Sequence, residues 1–485
     1  MSRFSLMVTL AVTSMAGLSA CAATDAGQAA RTAPVMAQAD APNVLFIAID
    51  DLRPDLGAYG HPVAYTPHID AFADTALVFD NAFVSQAVCG PSRAALMTGL
   101  RPDTTGITTL QQRVDEEVPG AVTMSQMFVN GGYESLGIGK IYHHSDDDMA
   151  GWTQRFEDSI YEIRRANRRS GEPNLSNRRF ADIEEMPDTI NVREAQGEIA
   201  RLSESGEPFF MAVGIHRPHL PFNSGEEDWA RYDGVDIAGP INPDGQEGAP
   251  PWAIVGYEVW NYDDTPDAAP MPVTKANELR RAYLASVTYA DRLVGDLLAD
   301  LEANGLADNT IVVLWSDHGW KIADHNGWAK HSTADIDIRV PMMIRVPGMA
   351  AAGDRTSRLV ETVDIYPTLA ELTGLPMPGN LEGLSFVPLL SDPDREWKAA
   401  AFSQYRRNIP GRGRGMGYTV RTEAYRYTAW RLNDTNELVA EELYDLSTDP
   451  NESRNVADSA QYANVIASAR RFEQGGWQPV RDSVN

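Results

Sequence analysis

The chain has 485 residues and a formal net charge of −27. This length is several times what one small domain needs, so we expect a large core together with an accessory subdomain. A strongly acidic chain lacks the basic surface that a phosphate backbone requires, which excludes nucleic acid as a partner. A pocket for a small anion is compatible with this charge only if its cationic residues are gathered locally.

The first 21 residues predict export. They combine Arg3, a short apolar segment and a small-residue end, which is the pattern of a secretory signal too short to remain as a membrane span. The sequence LSAC at 18–21 is similar to the bacterial lipobox, whose cysteine becomes a lipidated first residue. An ordinary signal with an incidental cysteine is the alternative. We expect Cys21 to anchor the protein to a membrane, in the periplasm or at the outer membrane or cell surface, with residues 22–41 as a flexible tether.

Three continuous apolar runs predict strands that are buried on both faces. They cover residues 43–49, 208–215 and 310–315, and helical patterns separate them. The clearest helical pattern runs from Thr274 to Asn304. Strands that alternate with helices indicate an α/β fold with a large, mainly parallel sheet sandwiched by helices.

Each of these runs ends in a polar cluster. Asp50-Asp51 follows the first run, residues 216–219 follow the second, and residues 316–319 follow the third. One Asp or His after a strand is usually a turn or helix cap. Three clusters at equivalent strand ends are harder to explain in that way, because ligands of parallel sheets bind beyond the carboxyl ends of the strands.

The sequence changes character near residue 395. The segment YTVRTEAYRYTAW at 418–430 alternates aromatic and polar residues, which is typical of an antiparallel sheet, and a helical pattern follows near 461–473. We therefore expect a large domain at 42–395 and a smaller C-terminal α+β subdomain at 396–485.

Cys89 precedes the segment GPSR and an apolar helical stretch. Because Pro91 marks a helix start, we expect Cys89 just before the helix, where free N–H groups and the helix dipole favour an anion. A buried structural cysteine is the alternative. If Cys21 carries a lipid, Cys89 stays unpaired in an oxidising compartment, and a free thiol there needs an explanation.

The segment Cys89-Gly90-Pro91-Ser92-Arg93 resembles the Cys-x-Pro-Ser-Arg motif of the type I sulfatases, in which a maturation enzyme oxidises the cysteine to formylglycine. Other segments, in family order over nearly the whole mature chain, resemble the iduronate-2-sulfatase branch: AIDDLRPDLGAYG, TPHIDAFA, GKIYHH, FFMAVGIHRPHLPF, SDHGWKIADHNGWAKH and ELYDLSTDP. The resemblance implies an alkaline-phosphatase-like fold, hydrolysis of sulfate monoesters, and a formylglycine-generating enzyme as a partner.

The resemblance also implies a metal site. Asp50, Asp51, Asp317 and His318 would bind one divalent cation together with the oxygen of the modified Cys89. Ca²⁺ is the expected ion, because carboxylates are hard oxygen ligands. His318 stands where many sulfatases carry Asn, whereas the iduronate-2-sulfatase branch has His. Each acid alone could be a solvated turn residue, but the adjacent Asp50 and Asp51 would repel each other without a counter-charge.

The family chemistry begins at residue 89. By resemblance, the formylglycine derived from Cys89 hydrates to a geminal diol, and one hydroxyl attacks the sulfur of the ester. Arg93 would hold the aldehyde hydrate, while Lys140 and Lys330 would neutralise the sulfate oxygens.

Two histidines are implied for proton transfer. His219 would protonate the leaving alcohol, and His143 would act as the base that allows sulfate to be eliminated. His216 and His144 lie close by in sequence, and only the family register favours His219 and His143 over them.

The expected substrate is a sulfated glycan that contains uronic acid, with the 2-position of iduronate or another uronate as the expected site of desulfation. Trp320, Arg168 and Arg169 are predicted to contact it, the two arginines as part of a basic island at 155–179; a second island lies at 406–414. The alternatives are a core tryptophan and a solvated helix face with Arg–Glu pairs.

Two other functions remain open from the sequence. One is a phosphonate or phosphodiester hydrolase of the same superfamily, some members of which also use formylglycine. The other is a non-catalytic lipoprotein that captures sulfated glycans and whose Cys89 is never oxidised.

Overall fold

The structure is a computed structural model that describes residues 41–160, 171–254, 258–266 and 270–484. Its central feature is an eight-stranded sheet with the strand order β10-β2-β9-β8-β1-β6-β3-β4. The strands that precede the C-terminal region are β1 (Asn43–Ile49), β2 (Leu77–Phe83), β3 (Glu134–Gly139), β4 (Gln154–Arg155), β5 (Asn177–Phe180), β6 (Phe209–Ile215), β7 (Phe222–Gly225), β8 (Thr310–Ser316), β9 (Arg339–Arg345) and β10 (Arg355–Glu361). Strands β5 and β7 form a separate two-stranded parallel sheet.

The large sheet is mainly parallel, as the alternation of apolar runs and helical patterns predicts. Strand β1 pairs in parallel with both β6 and β8, and β3 pairs in parallel with β6. Strand β9 is the exception, because it runs antiparallel to β2 and to β8. The carboxyl ends of β1, β2, β3, β6 and β8 therefore lie along the same edge of the sheet.

Strand β1 shows why the apolar runs are continuous. Leu45, Ile47 and Ile49 pack into the core on one face of the sheet, and Val44 and Phe46 pack into the core on the other. Both faces are covered by helices, so every position of the strand is buried and must be apolar. This layered arrangement is the predicted fold class.

The helices of the described part of the chain cover both faces of this sheet and the C-terminal region. They are α1 (Pro67–Ala73), α2 (Cys89–Thr98), α3 (Pro102–Thr105), α4 (Val114–Glu117), α5 (Met124–Asn130), α6 (Pro187–Ser205), α7 (Glu226–Ala230), α8 (Val273–Ala303), α9 (Asp335–Ile338), α10 (Ile365–Thr373), α11 (Ala463–Gly475) and α12 (Trp477–Asp482). Helix α8 confirms the helix predicted over 274–304. Among the residues described here, no helix is both long enough and apolar enough to cross a bilayer.

A four-stranded antiparallel sheet follows the large one. Its strands are β11 (Ala401–Ile409), β12 (Gly413–Arg421), β13 (Tyr425–Leu432) and β14 (Leu438–Asp445), paired in sequence order. Helix α11 packs against it through Ile466 and Ala469. The small C-terminal sheet is thus confirmed, whereas the domain boundary near residue 395 stays a prediction.

The ends of β3 and β6 approach each other closely. Gly139 has a φ of 67°, and a Cβ atom there would lie 2.2 Å from the carbonyl oxygen of Gly214. A Cβ atom on Gly214 would lie 2.1–2.5 Å from backbone atoms of Lys140, whose N–H donates to the Gly214 carbonyl at 3.2 Å. Glycine is therefore required at both positions, and this contact fixes where the chain leaves β3.

We expect Gly214→Ala to destabilise the protein by about 1–3 kcal/mol, because the new methyl group has no space and the backbone of Lys140 must move. The matched control is Gly197→Ala in the middle of α6, where a Cβ atom meets nothing within 4 Å. That change should stabilise the helix by about 0.5–1 kcal/mol. Thermal unfolding of both variants measures the difference; equal melting temperatures would contradict the close contact.

Candidate active site

The polar clusters that follow the strands meet at one edge of the large sheet. Asp50 comes directly after β1, Lys140 after β3, His216 after β6 and Asp317 after β8. All four strands are parallel to one another, so these residues leave the sheet on the same side. The sequence prediction that the clusters converge is confirmed.

Cys89 is the first residue of α2 and is 2% exposed. The loop after β2 brings it to the same edge of the sheet. Its Sγ atom lies 3.2 Å from Nε2 of His318 and 3.6 Å from Nζ of Lys140. The structure thus places Cys89 between a strand-end histidine and a strand-end lysine, and not in the apolar core that a purely structural cysteine would occupy.

Four side chains form a compact set of possible metal ligands. Ligand atoms of Asp50, Asp51, Cys89 and His318 all lie within 4.8 Å of one another, and all four residues are buried. Asp317 lies beside this set: its Oδ1 accepts the N–H of Asp51 at 3.2 Å, and its Oδ2 is 3.5 Å from Nε2 of His318. The residues predicted to bind a cation are therefore brought together.

Arg93 and Lys140 place positive charge against these carboxylates. The Arg93 guanidinium donates to Oδ2 of Asp317 at 2.8 Å, to Oδ1 of Asp50 at 3.3 Å and to the carbonyl of Ile141 at 3.0 Å. The Lys140 ammonium contacts Oδ2 of Asp50. Because every one of these groups is buried, each charge depends on its partners for stabilisation.

Lys330 contacts the other carboxylate of the adjacent pair, Asp51. Its Nζ lies 3.2 Å from both carboxylate oxygens of Asp51. It also lies 4.6 Å from the ring centroid of Trp320, a cation–π distance. Trp320 is 0% exposed, so in the structure its ring supports Lys330 from the core side, and a direct contact with substrate stays a prediction.

The two adjacent carboxyl groups have opposite pKa shifts. Burial alone raises the pKa of Asp50, but Lys140, His219 and Arg93 outweigh it and hold the pKa well below its usual value. For Asp51, burial and the charge of Asp50 outweigh Lys330, so its pKa is raised well above the usual value. The positive charges of the protein therefore favour the ionised form of Asp50, whereas Asp51 ionises less readily than an ordinary carboxyl group.

Cys89 and His143 are held in their neutral forms. Burial, together with Asp50, raises the pKa of the Cys89 thiol to about 12. Burial and the charge of Lys140 lower the pKa of His143 to about 3. At neutral pH, residue 89 is therefore a thiol before modification, and the His143 imidazole is uncharged.

Among the histidines after β6, His219 faces the cluster. Its Nε2 lies 3.9 Å from Oδ2 of Asp51, while its Nδ1–H donates to the Leu220 carbonyl at 2.6 Å. His216 instead pairs with Asp158 at 2.8 Å and is 3% exposed, so it braces the loop. This geometry agrees with the choice of His219 over His216.

The histidines after β3 also differ in their surroundings. His144 contacts the carbonyl oxygen of Leu110 through Nε2 at 2.8 Å, which holds it to a neighbouring loop. Burial and the charge of Lys140 lower the pKa of His143. The contact of His144 with the loop is compatible with the choice of His143, which stays a prediction.

Glu258 is a site residue that the sequence does not reveal. It opens a short 3-10 helix, Glu258–Asn261, in the long connection between α7 and α8. Its Oε1 lies 3.4 Å from Nε2 of His219, and its Oε2 forms an ion pair with Lys330 at 3.0 Å, although the angles there are not those of a hydrogen bond. No motif surrounds Glu258, so only the tertiary fold identifies it.

The described members of the first basic island have structural partners. Arg155 donates to the carbonyls of Gly137 and Gly139, Arg178 pairs with Glu172, and Arg179 stacks on Trp229. These three arginines lie on strands β4 and β5 and not on a helix face, and among them the predicted Arg–Glu pair is found for Arg178. Arg168 and Arg169 lie outside the described residues, so their contact with substrate stays a prediction.

The buried arginine of the second island, Arg407, also binds groups of the protein itself. The guanidinium of Arg407 donates to the carbonyls of Trp252 at 2.7 Å and Ala253 at 3.2 Å, and it also contacts the carbonyl of His331. Arg407 therefore ties β11 to a neighbouring loop and to the segment that carries Lys330. Arg412 pairs with Glu437 at the surface.

The donor set fits a hard divalent cation. Carboxylate oxygens of Asp50 and Asp51, with Asp317 beside them, are the ligands such an ion prefers, and His318 adds a nitrogen. The Sγ of Cys89 stands where an oxygen of formylglycine would be. A bound dication would also favour the charged form of Asp51, whose pKa the protein alone raises.

Comparisons with known proteins agree with this geometry. The family described as Sulfatase matches residues 42–375, and the family described as N-sulphoglucosamine sulphohydrolase, C-terminal, matches residues 323–473. Iduronate 2-sulfatase of Mus musculus is 33% identical over 518 aligned residues, which cover 89% of this chain and 93% of the relative.

Solved structures share the fold. A structure solved in complex with its substrate D-glucosamine-2-N,6-O-disulfate has a TM-score of 0.72 and 22% identity, covering 91% of this chain and 98% of the other. The phosphonate monoester hydrolase of Agrobacterium radiobacter has a TM-score of 0.73 and 23% identity, covering 89% and 96%. At these identities the two likenesses concern the fold alone.

Proposed function

This chain belongs to the sulfatase family and is a sulfuric ester hydrolase, and from that premise we propose that it removes O-sulfate from a uronic-acid-containing glycan, at the 2-position of the uronate. The observation that carries the proposal is the meeting of Cys89 with two carboxylates and two lysines at one sheet edge. The choice of sugar is supported by the 33% identity to an iduronate 2-sulfatase over most of both chains.

Two groups complete the proposed site. Asp50, Asp51, Asp317 and His318, with an oxygen of the modified Cys89, would hold a Ca²⁺ ion that would supply positive charge, and formylglycine at position 89 would supply a hydrated aldehyde as the nucleophile. The remaining chemistry falls to side chains that the structure describes.

The first task of those side chains is to hold the sulfate group. Lys140 contacts Asp50 and lies 3.6 Å from Sγ of Cys89, and Lys330 contacts Asp51, so a sulfate placed over residue 89 has two ammonium groups nearby. Arg93 is held by Asp317 and Asp50, which fixes its planar guanidinium next to residue 89. Fixed cationic groups stabilise charge that grows on sulfate oxygens in the transition state, at no cost of reorganisation.

The second task is proton transfer. The Leu220 carbonyl accepts the Nδ1–H of His219, so Nε2 is the atom left to hold a proton for the leaving alcohol. His143 is neutral at physiological pH because burial and the charge of Lys140 lower its pKa to about 3, so it does not already carry the proton that it would have to accept. A positioned acid or base contributes roughly 10²–10⁴-fold to a rate.

We also propose that the protein is exported and anchored through a lipid on Cys21. The support is the LSAC sequence at the end of the signal-like segment, and both lie outside the described residues. A surface or periplasmic enzyme of this kind would meet sulfated glycans before they enter the cell.

The substrate proposal predicts that the purified enzyme releases sulfate fastest from a uronate-2-sulfate oligosaccharide. Hexosamine-6-sulfate and ulvan-type oligosaccharides are the comparison substrates, and matched aryl sulfate and aryl phosphate esters test the reaction class. Mass spectrometry of the peptide containing residues 87–93 should show the loss of one sulfur and two hydrogens and the gain of one oxygen. A preference for the phosphate ester, or an unmodified Cys89 in active protein, would refute the proposal.

The cation proposal predicts that Ca²⁺ raises the melting temperature of chelator-treated protein and restores its activity. At a concentration about 100 times the dissociation constant, the expected stabilisation is about 2.7 kcal/mol. Asp51→Asn should abolish both effects, because it removes a ligand. Asp308→Asn, at an exposed carboxylate at the opposite end of β8 from Asp317, is the control and should keep both. A Ca²⁺-dependent shift that survives in Asp51→Asn would exclude this site.

The anchor proposal predicts that Cys21→Ser moves the protein from the membrane fraction to the soluble fraction in a bacterial host that processes lipoproteins. The unchanged chain should incorporate labelled fatty acid, and the variant should not. Incorporation that persists in Cys21→Ser would place the lipid elsewhere and contradict the lipobox interpretation.

A further inference from the structure

Glu258 brings a carboxylate to the side of the site where the leaving alcohol would depart. Its two oxygens have different neighbours: Oε1 lies 3.4 Å from Nε2 of His219, and Oε2 lies 3.0 Å from Nζ of Lys330. The Glu258 side chain is 24% exposed, whereas that of Lys330 is 2% exposed. Glu258 therefore stands at the mouth of the site, outside the buried ligand set.

The backbone at Glu258 is held independently of its side chain. Val259 is 1% exposed, and its carbonyl accepts the hydroxyl of Thr265 at 2.8 Å. The side-chain amide of Asn261 donates to the backbone carbonyl of Glu258 at 3.0 Å. These contacts fix the 3-10 helix, so a change to the carboxylate alone should leave the local fold intact.

We propose that Glu258 is a positioning residue for the leaving-group side of the reaction: its carboxylate orients the His219 imidazole so that Nε2 faces the departing oxygen. This inference rests on the proposed function, because it assigns no new reaction. It adds to the site a residue that no motif of the chain marks.

The geometry around His219 explains why a second carboxylate is needed. The hydrogen bond from Nδ1 to the Leu220 carbonyl fixes one edge of the ring, and the carboxylates near Nε2 act on the opposite edge. Asp51 offers a competing acceptor 3.9 Å from Nε2. Without Glu258, the attraction of Asp51 would draw Nε2 inward, toward the ligand set and away from the leaving oxygen.

Lys330 supports Glu258 in this role. Its ammonium group lies 3.0 Å from Oε2 of Glu258 and 3.2 Å from Oδ1 of Asp51, and it lies 4.6 Å from the centroid of the Trp320 ring. Asp51 and Trp320 hold the ammonium group without Glu258. The ion pair with Lys330 therefore keeps the Glu258 carboxylate where its other oxygen reaches His219.

The test is the dependence of the rate on the leaving group. An acid matters for a sugar alkoxide, which leaves poorly, and matters little for nitrophenolate, which leaves without a proton. We expect Glu258→Gln to lower kcat by about tenfold for a sulfated sugar from the panel, a fraction of what a whole positioned acid contributes, and by less than about threefold for 4-nitrophenyl sulfate. The mature, Ca²⁺-loaded enzyme is used throughout.

Three further variants complete the experiment. Glu278→Gln removes another lysine-paired carboxylate, on α8, and should leave both rates unchanged. His219→Ala should lower the sugar rate more than Glu258→Gln does. In the His219→Ala background, Glu258→Gln should change the sugar rate by less than about twofold, because an orienting residue has no effect without the group that it orients. Glu258→Asp should recover part of the sugar rate.

Equal losses on the two substrates would show that Glu258 is only a structural residue and would overturn the inference. Unchanged rates in Glu258→Gln, or additive losses in the double variant, would overturn it as well. A wild type that desulfates neither substrate would refute the proposed function itself, and the inference would fall with it. A selective loss on the sugar that disappears in the His219→Ala background is the supporting result.

Discussion

Two adjacent, buried carboxyl groups at the end of β1 need positive charges nearby, and other residues of the site provide them. Asp50 and Asp51 are both 0% exposed, and burying one ionised carboxylate without a partner is costly. The surrounding positive charges therefore stabilise the folded protein as well as forming part of the proposed reaction site. Lys140, Arg93 and Lys330 each contact one of the two carboxylates, and each comes from a different part of the chain.

The parallel sheet is what makes this convergence possible. Lys140 follows β3 at the position fixed by the contact of Gly139 with Gly214, and Arg93 lies one turn into α2. Parallel strands deliver their carboxyl ends to the same edge, so residues far apart in sequence become neighbours. Any shift of these ends would separate a buried charge from its partner. The geometry of the site and the stability of the fold are therefore coupled.

Sequence patterns reveal the parts of this arrangement that local residue types determine. The uninterrupted apolar run of β1 identifies a doubly covered strand, and the residues around Cys89 identify the family. Patterns do not reveal the antiparallel direction of β9, because its burial pattern is the same in either direction. Nor do they reveal Glu258, whose contacts depend on how a long connection folds back over the site. For Arg407 the sequence pattern is misleading. The run of arginines predicts a basic surface island, but in the fold Arg407 binds backbone carbonyls.

The balance of charge around residue 89 shows how an acidic protein can hold an anion. Four carboxylates, Asp50, Asp51, Asp317 and Glu258, face three cationic side chains, Arg93, Lys140 and Lys330. Among the described residues, these seven groups have a formal excess of one negative charge when all of them are ionised. A bound dication would turn this into an excess of one positive charge, and the proton that His219 must carry to serve as the acid would raise it to two. A sulfate monoester, with its negative charge, would therefore enter a pocket of net positive charge. An acidic protein can hold an anion site in this way, because the local count of charges, and not the net charge of the chain, determines whether the pocket accepts an anion.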